Sequence, residues 1–148
     1  MRVVALVGFA VALTSAQAGA TEGFNCTIDD AQIAVDASAT FSSGNGQPFF
    51  DLKAKAQING EDVPDDFRTI DLTQSLKHHW FEAGDLRLRF YYEREGEADH
   101  ASVELIIKTT GEGDDPELTG TYKVIIVNTD PEAKDTLFYE GPASCSAG

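Results

Sequence analysis

Leu86-Arg87-Leu88-Arg89-Phe90-Tyr91-Tyr92-Glu93 alternates apolar and polar side chains almost without a break. A strand sends successive side chains to opposite faces, so this stretch has one buried face and one wet face. The alternation returns in Val103 to Lys108, where Val103, Leu105 and Ile107 share a face. It returns again in Tyr122 to Val127, where Tyr122, Val124 and Ile126 do. Leu137 to Glu140 reads as a fourth strand. The connectors 94–100, 111–117 and 129–135 fit antiparallel hairpins and are too short for parallel crossovers. An antiparallel meander follows. Its loops alternate between ends, so 94–100 and 129–135 share one end and 111–117 lies at the other.

Upstream, Ile33, Val35, Ala37, Ala39 and Phe41 alternate with polar or small residues. A turn follows at 42–46, and Pro48 leads into a strand whose inward series is Phe50, Leu52, Ala54, Ala56 and Ile58. Asn59-Gly60 is a strong short hairpin signal. Phe67 to Leu72 reads as another strand, and Phe24 to Ile28 as the first. Thr73 to Ala83 is ambiguous. Leu72, Leu76 and Trp80 recur every four residues, Asp71 could cap a helix and Gly84 could end one. A short helix over 73–83 fits, and so does an irregular strand carrying Trp80; the spacing favours the helix. The expected fold is all-β, an antiparallel meander of about eight strands closing as a small β-barrel or β-sandwich. In a barrel, Phe90, Tyr92, Tyr122 and Trp80 could line the interior, although the Ala-rich strands suggest a filled core.

Residues 1–20 read as a secretory signal, leaving 21–148 as a single β domain. Arg2 supplies the positive start and Val3 to Leu13 the apolar run. Ala16-Gln17-Ala18 and Ala18-Gly19-Ala20 offer small-x-small cleavage sites. The apolar run is short for a bilayer span, and no later segment approaches the ~20 residues required. Export to the periplasm or beyond is expected. The only two cysteines are Cys26 and Cys145. In an oxidising compartment they are expected to form a disulfide that brings the first strand beside the last.

The 148-residue chain carries 11 Lys and Arg against 25 Asp and Glu, a formal charge of −14. Loss of the signal, with its single Arg2 and no acid, takes this to −15. Nucleic acid and anionic membrane surfaces require cationic partners, so both are excluded as expected targets. Catalytic signatures are lacking. The sequence has no G-x-S-x-G, no phosphate loop and no thiol left outside the expected disulfide. His78 and His79 are adjacent, which does not bring both rings easily onto one metal, and no cofactor motif is recognisable. The acidic segments 60–66, 111–117 and 130–132 resemble calcium loops in composition but lack EF-hand spacing. Arg87, Arg89, Lys108 and Lys123 share the outward parity with Glu93, Glu104 and Glu140, as cross-strand charge pairs would. The expected function is a non-catalytic binding module for a protein partner. The acidic surface favours a cationic one, such as a basic secreted enzyme that the module inhibits. Asp99, Asp130 and Glu132, on the two loops sharing an end, are the expected partner-binding residues. The alternative is a small-molecule or lipid-binding β-barrel, and a third reading is a metal-dependent hydrolase.

Overall fold

The computed structural model describes residues 21–42, 49–96, 99–112, 116–132 and 134–148. The signal expected over 1–20 lies outside these residues, as do residues 43–48, with most of the turn expected at 42–46, and Gly113 to Asp115. Nine strands form: β1 (Thr21–Asp29), β2 (Ile33–Ser42), β3 (Phe50–Ile58), β4 (Thr69–Asp71), β5 (Leu76–Glu82), β6 (Asp85–Glu93), β7 (Ala101–Thr110), β8 (Glu117–Asn128) and β9 (Thr136–Ala147). They make one antiparallel sheet in the order β4-β3-β2-β1-β9-β8-β7-β6-β5. The sheet curls into a half-barrel. Among the described residues, the only helical turn is a 3₁₀ turn at Asp65–Phe67.

The first and last strands lie side by side at the centre of this order. From them, two arms wind outward to edges that are consecutive in the chain. The edges meet at residues 72–75. Leu72 N–H donates to Ala54 O of β3 at 2.8 Å, and Tyr91 N–H of β6 donates to Ser75 O at 2.8 Å. The curled sheet is bridged there by backbone, and farther along the seam by side chains, with no strand pairing between β3 and β5.

β1 and β9 share only the four registered pairs from Phe24↔Ala147 to Thr27↔Ser144. Cys26 and Cys145 stand directly opposite each other within that short ladder and are disulfide-bonded, with α-carbons 4.0 Å apart. The bond therefore staples the joint between the two arms.

The alternating residues fill the interior. Ile33, Val35, Leu86, Leu88, Phe90, Leu105, Ile107, Tyr122, Val124 and Ile126 are all buried. No lumen of the expected kind is lined by Trp80, which points outward and is 53% exposed.

Four local expectations are corrected. Residues 73–83 form no helix, because Leu76–Glu82 is β5, paired with β6. A register shift between Leu76 and His78 flips the parity, so Leu76 faces the core while His78 and Trp80 face outward. The four-residue spacing of Leu72, Leu76 and Trp80 therefore mimics a helix. Asn59-Gly60 makes no tight hairpin. β3 ends at Ile58 and its partner β4 begins only at Thr69. The strand expected over Phe67 to Leu72 shrinks accordingly to Thr69–Asp71, preceded by the 3₁₀ turn. In β3, Phe49 packs against the core while Phe50 is 50% exposed. Asp51 takes a left-handed φ of 50°, next to a register shift against Ser38 and Thr40, and this moves the start of the series by one residue.

Candidate functional site

Loops 94–100 and 129–135 do share one end. Thr129 N–H and Thr129 Oγ1 both donate to His100 O at 2.9 Å. Loop 111–116 lies at the other end, where Gly111 N–H donates to Gly84 O and Ala147 N–H to Pro116 O. A third acidic segment, 59–68, joins the first pair. Its apolar residues place it there. Val63 and Phe67 are buried, Phe67 packs edge-on against Tyr92 with ring centroids 5.9 Å apart, and Asn59 N–H donates to Gln32 O. The segment also lies on β9, where a Cβ built on Gly60 would fall 1.9 Å from the Tyr139 hydroxyl.

Arg94 is the centre of this end. Its Nε and Nη2 donate to the two carboxylate oxygens of Asp66 at 2.7 and 2.9 Å, and its Nη1 donates to Asp99 O at 2.9 Å. Its guanidinium lies 5.3 Å from the Phe67 ring centroid. The hydrogen bond from Arg94 pulls the Asp66 carboxyl below its ordinary pKa, more than burial raises it. Asp66 in turn raises Arg94, against the effect of burial and with smaller help from the fields of Asp130 and Asp99. The other cations here are matched as well. Arg68 pairs with Asp65 at 3.0 Å and Lys134 with Asp62 at 3.6 Å. His100 Nδ1 lies 3.1 Å from Glu93.

Asp99, Asp130 and Glu132 are different. Among the described residues none of the three forms an ion pair within 4.0 Å. All three are exposed or half-buried. The carboxylate of Asp130 accepts Glu132 N–H at 2.9 Å, and Asn128 Oδ1 accepts Asp130 N–H at 3.0 Å. These turns fix the loop backbone and leave the charges facing water. The expected trio is therefore gathered at one end, with its nearby cations already engaged. The 59–68 segment was legible as acidic, but its position was not. Val63 and Phe67, apolar residues inside an acidic loop, were the available signal.

Several other sequence features resolve as ordinary pairs. Arg89 binds Glu104 across the β6–β7 ladder, and Lys123 lies 3.8 Å from Glu140 across β8–β9. Arg87 turns instead to Asp85 on its own strand and stands opposite Lys108. His78 and His79 point to opposite faces, as adjacent strand residues must. Among the described residues, no three His, Cys, Asp or Glu side chains are grouped to hold a metal ion, and no helix is long and apolar enough to cross a membrane. A groove of about 530 Å³ opens near the opposite end, between Phe24, Ala39, Asp51, Lys53 and Ala147. No protein-family model, curated protein or solved structure matches the chain at a significant level.

Proposed function

We propose that this chain is an exported, non-catalytic binding module that receives a cationic protein partner on the acidic end of its half-barrel, as an inhibitor of a basic secreted enzyme would. The reading rests on one observation. Arg94, Arg68 and Lys134 each engage an aspartate of the 59–68 segment, while among the described residues Asp99, Asp130 and Glu132 form no ion pair within 4.0 Å. A filled interior and a disulfide-stapled scaffold suit a rigid recognition surface. Export agrees with the disulfide, and the charge balance argues against nucleic acid.

The test is capture from cell-envelope extract, with wild type and an Asp99→Asn, Asp130→Asn, Glu132→Gln variant as paired baits. Asn at position 130 keeps an acceptor for Glu132 N–H, so the loop is retained. Wild type is expected to hold a basic protein that the variant loses and that high salt releases. Identical captures by both baits would reject the acidic end as the binding surface. The small-molecule reading has one observation in its favour, the groove near Asp51 and Lys53. Stabilisation of the protein in a small-ligand thermal-shift panel would move the assignment there.

A further inference from the structure

At the two ends of the strand order the sheet has three stretches of free backbone edge, and they are protected unequally. β4 is only three residues long. The first half of β3 is kinked by the left-handed Asp51 and carries Lys53. Short edges, bulges and lysines are the usual devices that prevent edge-to-edge pairing. β5 carries such devices only at its start, in the register shift between Leu76 and His78 and in Lys77. It is seven residues long and paired on one side only, with β6. From His78 to Glu82 it has no bulge, proline or lysine. Lys77, His78, His79, Trp80 and Glu82 are all exposed, and Trp80, the chain's one tryptophan, is 53% exposed.

We propose that β5 is a self-association edge, pairing antiparallel with β5 of a second copy about a two-fold axis at Trp80. Its sequence is self-complementary in that register. Directly opposed residues of an antiparallel pair share a face. Trp80 then meets Trp80 of the second copy on the outer face, and His78 meets Glu82 of the second copy on either side. Phe81 and His79 oppose each other on the inner face, where Phe81 already packs on Phe41 and His79 on Phe49. The protonation of His78 is suited to this pairing. Arg89 Nη1 lies 3.2 Å from His78 Nδ1. A guanidinium only donates, so Nδ1 accepts and Nε2 carries the proton, which is free to donate to a carboxylate.

Charge permits the assembly. Trp80 pairs with Arg87 of β6, and the acidic end begins at Arg94. Seven residues at roughly 3.3 Å each place that end on the order of 20 Å from the axis. The two-fold points the acidic ends of the copies in opposite directions, beyond the Debye length of about 8 Å in physiological salt. This inference does not depend on the proposed partner.

Sedimentation equilibrium of the exported, disulfide-bonded protein, from micromolar to millimolar concentration, tests it. The mass is expected to rise from monomer to dimer, with a concentration-dependent blue shift of Trp80 emission. Trp80→Lys sets two ammonium groups face to face at the axis and is expected to remain monomeric with an unchanged circular dichroism spectrum. Trp80→Cys is expected to form an oxidised dimer, whereas Lys77→Cys, which falls opposite Ala83, is not. A wild type that stays monomeric at millimolar concentration overturns the proposal. So does a dimer that Trp80→Lys leaves intact, or one linked by Lys77→Cys and not by Trp80→Cys.

Discussion

Tyr122 and Asp30 show what one polar pair can do inside an apolar core. β1 and β9 pair only as far as Thr27↔Ser144, so beyond that point the two arms need another tie. Tyr122 supplies it by donating its hydroxyl to Asp30 Oδ2 at 2.5 Å, while Asp30 Oδ1 accepts the Gln32 and Ile33 N–H groups. Gly141 makes the space, since a Cβ there would fall 2.7 Å from both Asp30 and the Tyr122 ring. Burial, and secondarily the Asp30 carboxylate, raise the Tyr122 pKa far above its ordinary value. Burial also acts to raise Asp30, but the hydrogen bonds from Tyr122, Ile33 and Gln32 outweigh it and hold its pKa below 3.8. A carboxyl depressed in the folded state adds stability above its unfolded pKa and loses it as pH falls through the folded value. Tyr122→Phe is therefore expected to lower the unfolding free energy by about 1–2 kcal/mol near neutral pH, as for a hydrogen bond to a charged group. The deficit should narrow only as pH falls below the unfolded carboxyl value and through the lower folded one, where Asp30 protonates in wild type; urea titrations across pH measure both. Thr109 is the opposite case. It is buried, and its Oγ1 has no hydrogen-bond partner among the described residues. Thr109→Val keeps the shape and removes the orphaned hydroxyl, so a gain of about 1 kcal/mol in the same titration is expected.

At the scale of elements, the staple between β1 and β9 matters most, because those two strands alone join the arms at the centre of the sheet. Cys26 and Cys145 are separated by 119 residues. Closing a loop of that size in the unfolded chain is worth roughly 4–5 kcal/mol in the chain-entropy model. The Cys26→Ser, Cys145→Ser pair should lose up to that amount, read as a fall in denaturation midpoint, with a steeper slope because the unfolded chain is no longer cross-linked. The strands themselves were legible wherever period two ran unbroken. Ile33 to Phe41, Leu86 to Tyr92 and Tyr122 to Val127 needed only side-chain parity, and parity is a local property. The misreadings fall where something non-local intervenes. The β5 bulge reverses parity after Leu76 because Trp80 can stay in water while Phe81 reaches Phe41. Asn59-Gly60 looked sufficient for a hairpin, but Val63 and Phe67 draw the chain across the barrel end before it can return along β3. The disulfide was legible because two cysteines allow one pairing. The meeting of loops 59–68 and 94–100 was not, because it depends on the curl of the whole sheet.

Across the whole molecule, the charge excess works against stability. Compactness does not require an excess of −14, and like charges held together destabilise a folded state. Among the described residues, the acidic end gathers Glu61, Asp62, Asp65, Asp66, Asp99, Asp130 and Glu132 near Arg68, Arg94 and Lys134. Asp66 takes Nε and Nη2 of the Arg94 fork and nearly neutralises it, so the carboxylates of Asp99 and Asp130 gain little from that guanidinium. Asp99 and Asp130 act on Arg94 only as weaker fields, within an end that carries more carboxylates than cations. If they are held for recognition, removing them should relieve repulsion at the same time as it abolishes binding. The Asp99→Asn, Asp130→Asn, Glu132→Gln variant is therefore expected to melt higher than wild type at low ionic strength, by an amount equivalent to under ~1 kcal/mol for such exposed groups. The gain should disappear as salt shortens the Debye length from about 10 Å at 0.1 M to about 3 Å at 1 M. Calorimetry over that salt range measures it without any partner. A variant that melts lower than wild type at low salt would mean that these carboxylates mainly anchor Arg94. The acidic end would then be a structural cap, and the proposed partner would have to bind elsewhere.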